Sequence, residues 1–328
     1  MTYKRIVILI LALAMIAMIA GCKANTGSNE DITDQEETTD TVTTLDDGMR
    51  ETLIYYQTDA GYLVPVMRRI PWEEGIAKAA IRRTMNTPDN QMDMLDMGLQ
   101  ALLPAEASIN GMSISDDGLA TLDLNAACVN YSDALRESNM VRGVVDMLTE
   151  FPAIDKVQFV FDGEIKDELP YGTRVGDPIE HCDLNPEVGE DADLGGAKVT
   201  VFFHTAGLSQ FDYLVPVTRY TSGDTASIET AIEELLRGPK DSTQLALAVP
   251  DGTVLNEVRT ESDGVTFIDF SNQFSALEDS PYAESMVMRS IMMTAKAFPG
   301  VTDVHVTVNG MDYPGSDFYS MPTFANEY

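Results

Sequence analysis

The chain has three histidines, few enough for acid–base, metal-ligand and triad hypotheses to be weighed one at a time. His204 ends a predicted strand and His305 alternates with valines, so we expect both to be half-exposed strand residues. His181 and Cys182 are neighbours without a second such pair, which argues against zinc. Because no serine, cysteine or aspartate stands in a nucleophile-elbow, serine–lysine or papain-like setting, the sequence predicts a non-enzyme without cofactors.

Acidic side chains form two further patterns. From Asp183 onward oxygen ligands alternate as in a calcium loop, but Gly189 falls at position seven and Leu194 replaces the bidentate glutamate, so we expect a solvated acidic linker.

Asp123 and Asp269 recur at one place in the two halves of the chain, each just before a loop, where an aspartate commonly accepts backbone hydrogen bonds. We interpret them as structural, because a hydrolytic pair must face one substrate across a single cleft.

One long pattern occurs twice in the chain. Leu63-Val64-Pro65-Val66 returns as Leu214-Val215-Pro216-Val217, and Phe151-Pro152 returns as Phe298-Pro299. The offset drifts only between 146 and 151 (250 − 104 and 214 − 63), so a whole domain is duplicated rather than a short solenoid unit. The residues kept in both copies are apolar, Gly or Pro, which is typical of a scaffold.

Each copy is predicted to contain five strands and two helices. Apolar residues in 227–237 and 282–297 recur at the spacing of one helical face, and β-branched segments such as 199–204 indicate strands. The predicted order is β-β-α-β-β-α-β. It favours an α+β fold in which two tandem repeats each have a mostly antiparallel sheet with both helices on one face.

Pro65 and Pro216 stand inside predicted strands. A proline cannot donate a ladder hydrogen bond, so these strands should lie at sheet edges. With Arg68 and Arg219 close by, we predict surface edges that could accept a partner strand, each arginine fixing its register against a carboxylate. An edge that is blunted against aggregation is the alternative.

The N-terminus resembles a bacterial lipoprotein signal. Lys4-Arg5 precede an apolar run at 6–19, and Ala20-Gly21-Cys22 close it with small residues. We expect cleavage before Cys22, acyl chains on its thiol, and a protein held on the outer face of the bacterial cytoplasmic membrane. An ordinary signal peptide or a short anchor helix with a chance cysteine is the alternative.

These signals divide the chain into segments. We predict a signal peptide at 1–21, an acidic flexible stalk at 22–50, domains at 51–165 and 197–313, an acidic linker at 166–196, and a tail at 314–328. Cys128 aligns with Phe274 and should be buried, whereas Cys182 lies in the linker. We expect two free thiols, and a disulfide between them stays open as an alternative.

Charge restricts the partners. The chain has 53 acidic against 21 basic residues and a net charge of −32, so it should repel phosphates. The composition therefore argues against nucleic acid and against a polybasic membrane-surface role.

The repeated motifs resemble the GerM domain of bacterial sporulation and spore germination lipoproteins. The match is clearest over 197–313 and looser over 51–165, where the stretch before Pro104 is five residues longer. The segments that carry it are the Leu-Val-Pro-Val strand, Arg237-Gly238-Pro239, Val249-Pro250-Asp251-Gly252-Thr253, Phe267-Ile268-Asp269-Phe270-Ser271, and the ending from Phe298-Pro299 to Asn309-Gly310.

The resemblance implies a lipoprotein with two such domains outside the mother-cell membrane, and a fold similar to the ring-building motif of sporulation channels. Its implied partners are envelope or sporulation-channel proteins, whose assembly or stability it would assist without catalytic residues. The alternative is a ligand-binding lipoprotein that presents cell-wall fragments or small solutes in an inter-domain groove. That role predicts a concave cleft with aromatic or convergent polar groups between the domains.

Overall fold

The computed structural model of the chain describes residues 48–187, 196–206, 211–221 and 223–328. The predicted signal peptide, Cys22 and nearly all of the predicted stalk lie outside the described residues, as do residues 188–195 of the predicted linker. Within the described ranges, every helix is too short or too polar to span a membrane.

The first repeat begins with a hairpin and continues with three helices and a mixed sheet. Its strands are β1 (Met49–Gln57), β2 (Leu63–Pro71), β3 (Ile109–Ile114), β4 (Leu119–Leu124) and β5 (Lys156–Phe161), and its helices are α1 (Ile76–Arg83), α2 (Pro88–Met97) and α3 (Ala134–Thr149). β1 pairs antiparallel with β2, β3 antiparallel with β4, and β4 parallel with β5.

The second repeat follows the same plan. Its elements are β6 (Lys198–Thr205), β7 (Leu214–Tyr220), α4 (Ile228–Leu236), β8 (Leu245–Ala246), β9 (Leu255–Thr260), β10 (Val265–Phe270), α5 (Pro281–Lys296), β11 (Asp303–Val308) and β12 (Met311–Asp312). β6 pairs antiparallel with β7 and β8, β9 antiparallel with β10, and β10 parallel with β11. The predicted α+β class and mostly antiparallel pairing are confirmed. The predicted order β-β-α-β-β-α-β is present in each repeat with additional elements, α2 in the first repeat and β8 and β12 in the second.

One detail of the sheets differs from the prediction. In each repeat the strands divide between a hairpin sheet and a separate mixed sheet, instead of forming one sheet. The long helix joins the two, because α3 packs on both β1 and β5, and α5 packs on both β6 and β11. The apolar faces predicted for these helices are buried, as the repeated residues Val144, Val145, Ile291 and Met292 illustrate.

Helix α2 is an addition to the first repeat, which has it where the second repeat has only β8. Pro88 starts α2, since proline at the first helical position lacks only an N–H that would be unpaired anyway. Gly98 then ends α2 in the left-handed conformation, with φ 64°. This helix accounts for the longer stretch before Pro104.

The apolar core is continuous across the two repeats. Buried side chains from both hairpins, from α3 and α5, and from both mixed sheets belong to one cluster. The described part of the linker contributes as well, through Leu169, Val175 and Leu184. The repeats therefore stabilise each other by burying shared apolar surface.

Candidate functional site

The two proline-containing strands meet at the junction of the repeats. β2 and β7 lie against each other, and Pro65 and Pro216 are both buried. The prediction that these prolines are surface features is therefore wrong. Because neither residue has an N–H, the two facing strands cannot complete a hydrogen-bonded ladder with each other.

Asn185, from the linker, bridges the two strands in place of that ladder. Its Oδ1 accepts from the N–H of Leu63 at 2.7 Å. Its Nδ2 donates to the carbonyl oxygens of Leu63 at 2.8 Å and Pro216 at 2.7 Å. One side-chain amide thus binds the first repeat and the second repeat together.

Asn326, from the C-terminal tail, makes the equivalent contacts in the other direction. Its Oδ1 accepts from the N–H of Leu214 at 2.8 Å, and its Nδ2 donates to the carbonyl oxygens of Leu214 and Pro65, both at 2.8 Å. Leu63 and Leu214 are matched residues of the repeats, as are the two prolines. The junction therefore has approximate two-fold symmetry in its hydrogen bonds.

The segments that carry these asparagines occupy the outer edges of β2 and β7. Thr218 donates to the carbonyl of Leu184 at 2.9 Å and accepts from the N–H of Glu187 at 3.0 Å. Its counterpart Met67 donates to the carbonyl of Asn326 at 2.8 Å and accepts from the N–H of Tyr328 at 3.0 Å. Each repeat's C-terminal extension covers the other repeat, so adding a partner strand, which stays a prediction, would require displacing it.

Arg219 lies within the junction, with a side chain only 5% exposed. It donates to the carboxylate of Glu187 at 2.7 Å, to the carbonyl oxygens of Glu234 and Gly238 at 2.5 Å each, and its guanidinium stacks over Phe203. All of its donor groups are directed at internal acceptors. The predicted role in fixing a partner's register is not available to a side chain used in this way.

Arg68, the counterpart in the first repeat, is also used internally. It donates to Asp93 of α2 at 2.8 Å and to the hydroxyl of Tyr56 at 3.1 Å, and it lies over the ring of Tyr328. The ring of the C-terminal residue thus covers the arginine of the first repeat. The prediction of an exposed edge arginine is wrong here too.

The histidines separate into buried and exposed cases. His305 is half-exposed as predicted and stacks on Phe267. The expectation is wrong for His204, which is fully buried because α5 covers the end of β6. Its Nδ1 lies 2.5 Å from Asp212 and its Nε2 lies 2.8 Å from the carbonyl of Met286. Both ring nitrogens are therefore occupied by internal partners.

The carboxylates of the two repeated aspartates accept hydrogen bonds from backbone N–H groups, as predicted. Asp123 accepts from the N–H of Gly163 at 3.3 Å, and Asp269 accepts from the N–H of Gly310 at 2.7 Å. Burial raises the pKa of Asp269, but the hydrogen bonds from Gly310 and from the side chains of Thr307 and Asn256 outweigh it and leave the pKa below its ordinary value. This carboxylate is ionised and structural.

The two thiols are free and poorly suited to nucleophilic chemistry. Cys128 is buried, as predicted, and burial raises its pKa to about 11. Burial and the nearby charge of Asp146 raise the pKa of Cys182 to about 12, although His181 lies next to it. Both cysteines are therefore protonated at neutral pH, and a thiol without thiolate character is a weak nucleophile.

In the segment from Asp183 onward, whose spacing resembles a calcium loop, the oxygen atoms that the structure describes bind other groups of the protein. Asp183 accepts from Lys198 and from the hydroxyl of Tyr220, each at 2.7 Å, while Asn185 and Glu187 make the junction contacts given above. Residues 188–195 lie outside the described part of the chain. Among the residues that are described, no group of three or more His, Cys, Asp or Glu side chains could hold a metal ion.

Residues 53–167 and 200–313 match the protein family described as "Germane: Sporulation and spore germination". The chain belongs to this family. Its two Germane regions correspond to the two repeats, and the resemblance inferred from the motifs is confirmed.

One sequence match and one structure match to this chain are informative. It is 31% identical over 267 residues to the spore germination protein GerM of Bacillus subtilis, covering 80% of this chain and 72% of that protein. Its structure is similar to the tandem GerMN domains of the sporulation protein GerM from Bacillus subtilis, with a TM-score of 0.69 at 27% identity, covering 85% of this chain and 99% of that chain. The tandem α+β fold is thereby confirmed.

Sequence reasoning missed the two asparagines of the junction. Asn185 lies in the segment with calcium-like spacing that is predicted to be an acidic linker, and Asn326 lies in the segment predicted as a tail. The one local signal is a glutamate close after each, Glu187 and Glu327. Such a short pattern has no periodicity, so it could not be distinguished from loop composition.

Proposed function

We propose that this chain serves sporulation or spore germination as an extracytoplasmic, lipid-anchored protein that assists the assembly or stability of an envelope complex. Membership of a family described by sporulation and spore germination supports the process. The Bacillus subtilis relative, a spore germination protein, supports it further. The lipoprotein-like signal ending at Cys22 supports the location outside the cytoplasmic membrane.

One observation carries the non-catalytic part of the proposal: the groups that could do chemistry are used to hold the fold. His204 is paired with Asp212, Asp269 binds backbone, and the two thiols are protonated. A catalytic site instead needs titratable groups that converge on a substrate. A tandem body whose two repeats share one buried apolar core supports a role in protein assembly.

The ligand-binding alternative expects an open groove between the domains. Where β2 meets β7, side chains from two extensions fill the contact instead, including Asn185 and Asn326. Tyr213 adds a hydrogen bond from its hydroxyl to the carbonyl of Met97 at 2.7 Å. This filled contact favours the assembly role over a ligand groove at this place.

The test compares the wild-type chain with Cys22→Ala in the native host, by membrane fractionation followed by chemical cross-linking. We expect the wild type to sediment with membranes and to be captured with envelope proteins, and Cys22→Ala to appear in the soluble fraction. Cys182→Ala is the matched control, since it removes a thiol but not the predicted lipid site. Membrane retention of Cys22→Ala would refute the anchor, and capture of small ligands without any protein would refute the assembly role.

A further inference from the structure

A cleft of about 690 Å³ opens in the first repeat between α1, the end of β2 and the start of β3. A volume of this size is common for small-molecule sites. Three cationic side chains of α1 line it, Lys78, Arg82 and Arg83. Two carboxylates, Glu73 and Asp89, line it as well.

Two of these cations have no internal counter-charge. Lys78 and Arg83 are half-buried, and among the described residues neither side chain forms a hydrogen bond or an ion pair. Arg82 pairs with Glu73 at 2.7 Å on the exposed rim. In a chain with 53 acidic and 21 basic residues, carboxylate partners are abundant, so two half-buried cations without one indicate a site for an external anion.

Helix stability alone does not require these cations. Basic residues in the last turn of a helix complement its negative end, which applies to Arg82 and Arg83. The second repeat has the same fold without cations at the equivalent positions of its helix α4. α1 and α4 lie between anchors that share one offset of 151 (214 − 63 and 239 − 88), so the three cations correspond to Glu229, Glu233 and Glu234.

We propose that the cleft binds the phosphate group of an anionic ligand, with Lys78 and Arg83 as direct contacts and Arg82 at the rim. A phosphate presents several oxygens, so it can accept from an ammonium and from the fork of a guanidinium at once. The hydroxyl groups of Thr87 and Ser108 line the same cleft and can bind the ester oxygens or hydroxyls of the ligand.

The net charge of −32 does not prevent this binding. Charges separated by more than about 8 Å are largely screened at physiological ionic strength, so the side chains that line the cleft, three cations and two carboxylates, set the local field. Overall composition excludes an extended polyanion, which would meet the acidic surface, but it does not exclude a single phosphate group at a local cationic site. The proposal is independent of the assembly role, because it concerns binding by the purified chain.

The test is to titrate the purified chain, from residue 23 onward, with glycerol 3-phosphate and to measure the heat of binding by calorimetry. The single tryptophan gives a second readout, since Trp72 is 55% exposed and lies between two residues that line the cleft, Pro71 and Glu73. We expect saturable binding that weakens when NaCl is raised from about 50 to 300 mM. Vesicles of phosphatidylglycerol, compared with phosphatidylcholine, form the second arm and separate a lipid headgroup from a free phosphate ester.

The decisive variant reproduces the charges of the second repeat, Lys78→Glu with Arg83→Glu, and should weaken binding at least tenfold. Lys78→Gln with Arg83→Gln is a milder form for use if the reversed charges impair folding, as judged by circular dichroism. Glu229→Gln with Glu233→Gln on α4 is the matched control and should leave binding unchanged. Saturable binding in either arm that is lost in the cleft variants supports the site. Absence of binding in both arms, or equal binding by the cleft variants, overturns it.

Discussion

The matched arginines of the two repeats have the same place in the fold and different surroundings. Arg219 is paired with Glu187, which is 9% exposed, and with Glu234 of the adjacent helix. Arg68 is paired with Asp93, which is 39% exposed and belongs to the added helix α2. The arginine at this repeated position thus forms an ion pair enclosed by protein in the second repeat and a solvent-exposed ion pair in the first. Duplication kept the scaffold and left the electrostatics free to change.

The difference follows from where each extension ends. The linker after the first repeat brings Glu187 directly onto Arg219, whereas the tail after the second repeat brings the ring of Tyr328 onto Arg68. The first repeat then obtains its carboxylate from α2, an element for which the second repeat has no counterpart. Each repeat is therefore completed by residues that lie outside its own repeated sequence.

The largest effect is expected from breaking the enclosed ion pair. Arg219→Ala leaves the carboxylate of Glu187 buried without a cation, which costs about 3 kcal/mol or more. Arg68→Ala should cost about 1 kcal/mol, because water can solvate Asp93. Urea unfolding of the chain from residue 23 onward, followed by circular dichroism, measures both free energies. Equal losses in the two variants would contradict the contrast between the repeats.

A smaller effect is expected at the bridging asparagines. Asn326→Ala removes three hydrogen bonds of 2.8 Å and leaves the buried N–H of Leu214 without its acceptor, at a cost of about 2 kcal/mol. Asn185→Ala removes the matched set and adds strain, since Asn185 has φ 44°.

Two controls separate these contributions in the same urea experiment. Asn185→Gly loses the same hydrogen bonds as Asn185→Ala but relieves the backbone strain, so it should be less destabilising than Asn185→Ala. Asn326→Asp keeps the shape but replaces the donating amide by an oxygen that faces two carbonyls, so it should destabilise at neutral pH. A neutral effect of Asn326→Asp would show that packing, not hydrogen bonding, holds this part of the junction.

The sequence predicts the parts of this fold that have a period. The repeat offset and the helical faces are periodic patterns, and the structure contains them. The burial of His204 was not predictable, because both faces of β6 are covered near its end and the alternation of the strand disappears there. The contacts of Asn326 join residues more than 100 positions apart, so no local pattern encodes them. The cations of α1 are visible in the sequence, but only the cleft that they line suggests the proposed role in binding phosphate.

The smallest predicted effect concerns a carboxylate that only the first repeat has. Asp146 of α3 corresponds to Met293 of α5 (298 − 151 = 147, and 146 + 147 = 293), and both are buried. Asp146 accepts from the N–H of Cys182 at 2.7 Å and lies 3.1 Å from Nδ1 of His181. The hydrogen bond to Asp146 raises the pKa of His181 above its ordinary 6.5, with smaller contributions from the charges of Asp146, Glu150 and Asp183.

The sign of the pH dependence follows from that direction. A histidine whose pKa is raised by folding stabilises the protein fully below its unfolded pKa, and this stabilisation is lost as the pH rises through the folded pKa. His181→Gln should therefore reduce the free energy of unfolding more at pH 5.5 than at pH 8.5. Because the ring is 65% exposed, solvent screening limits the difference to a few tenths of a kcal/mol. In an Asp146→Asn background the same substitution should show a smaller pH dependence, because only the charges of Glu150 and Asp183 then raise the pKa of His181. An undiminished excess loss at pH 5.5 in that background would mean that Asp146 does not hold the proton on His181.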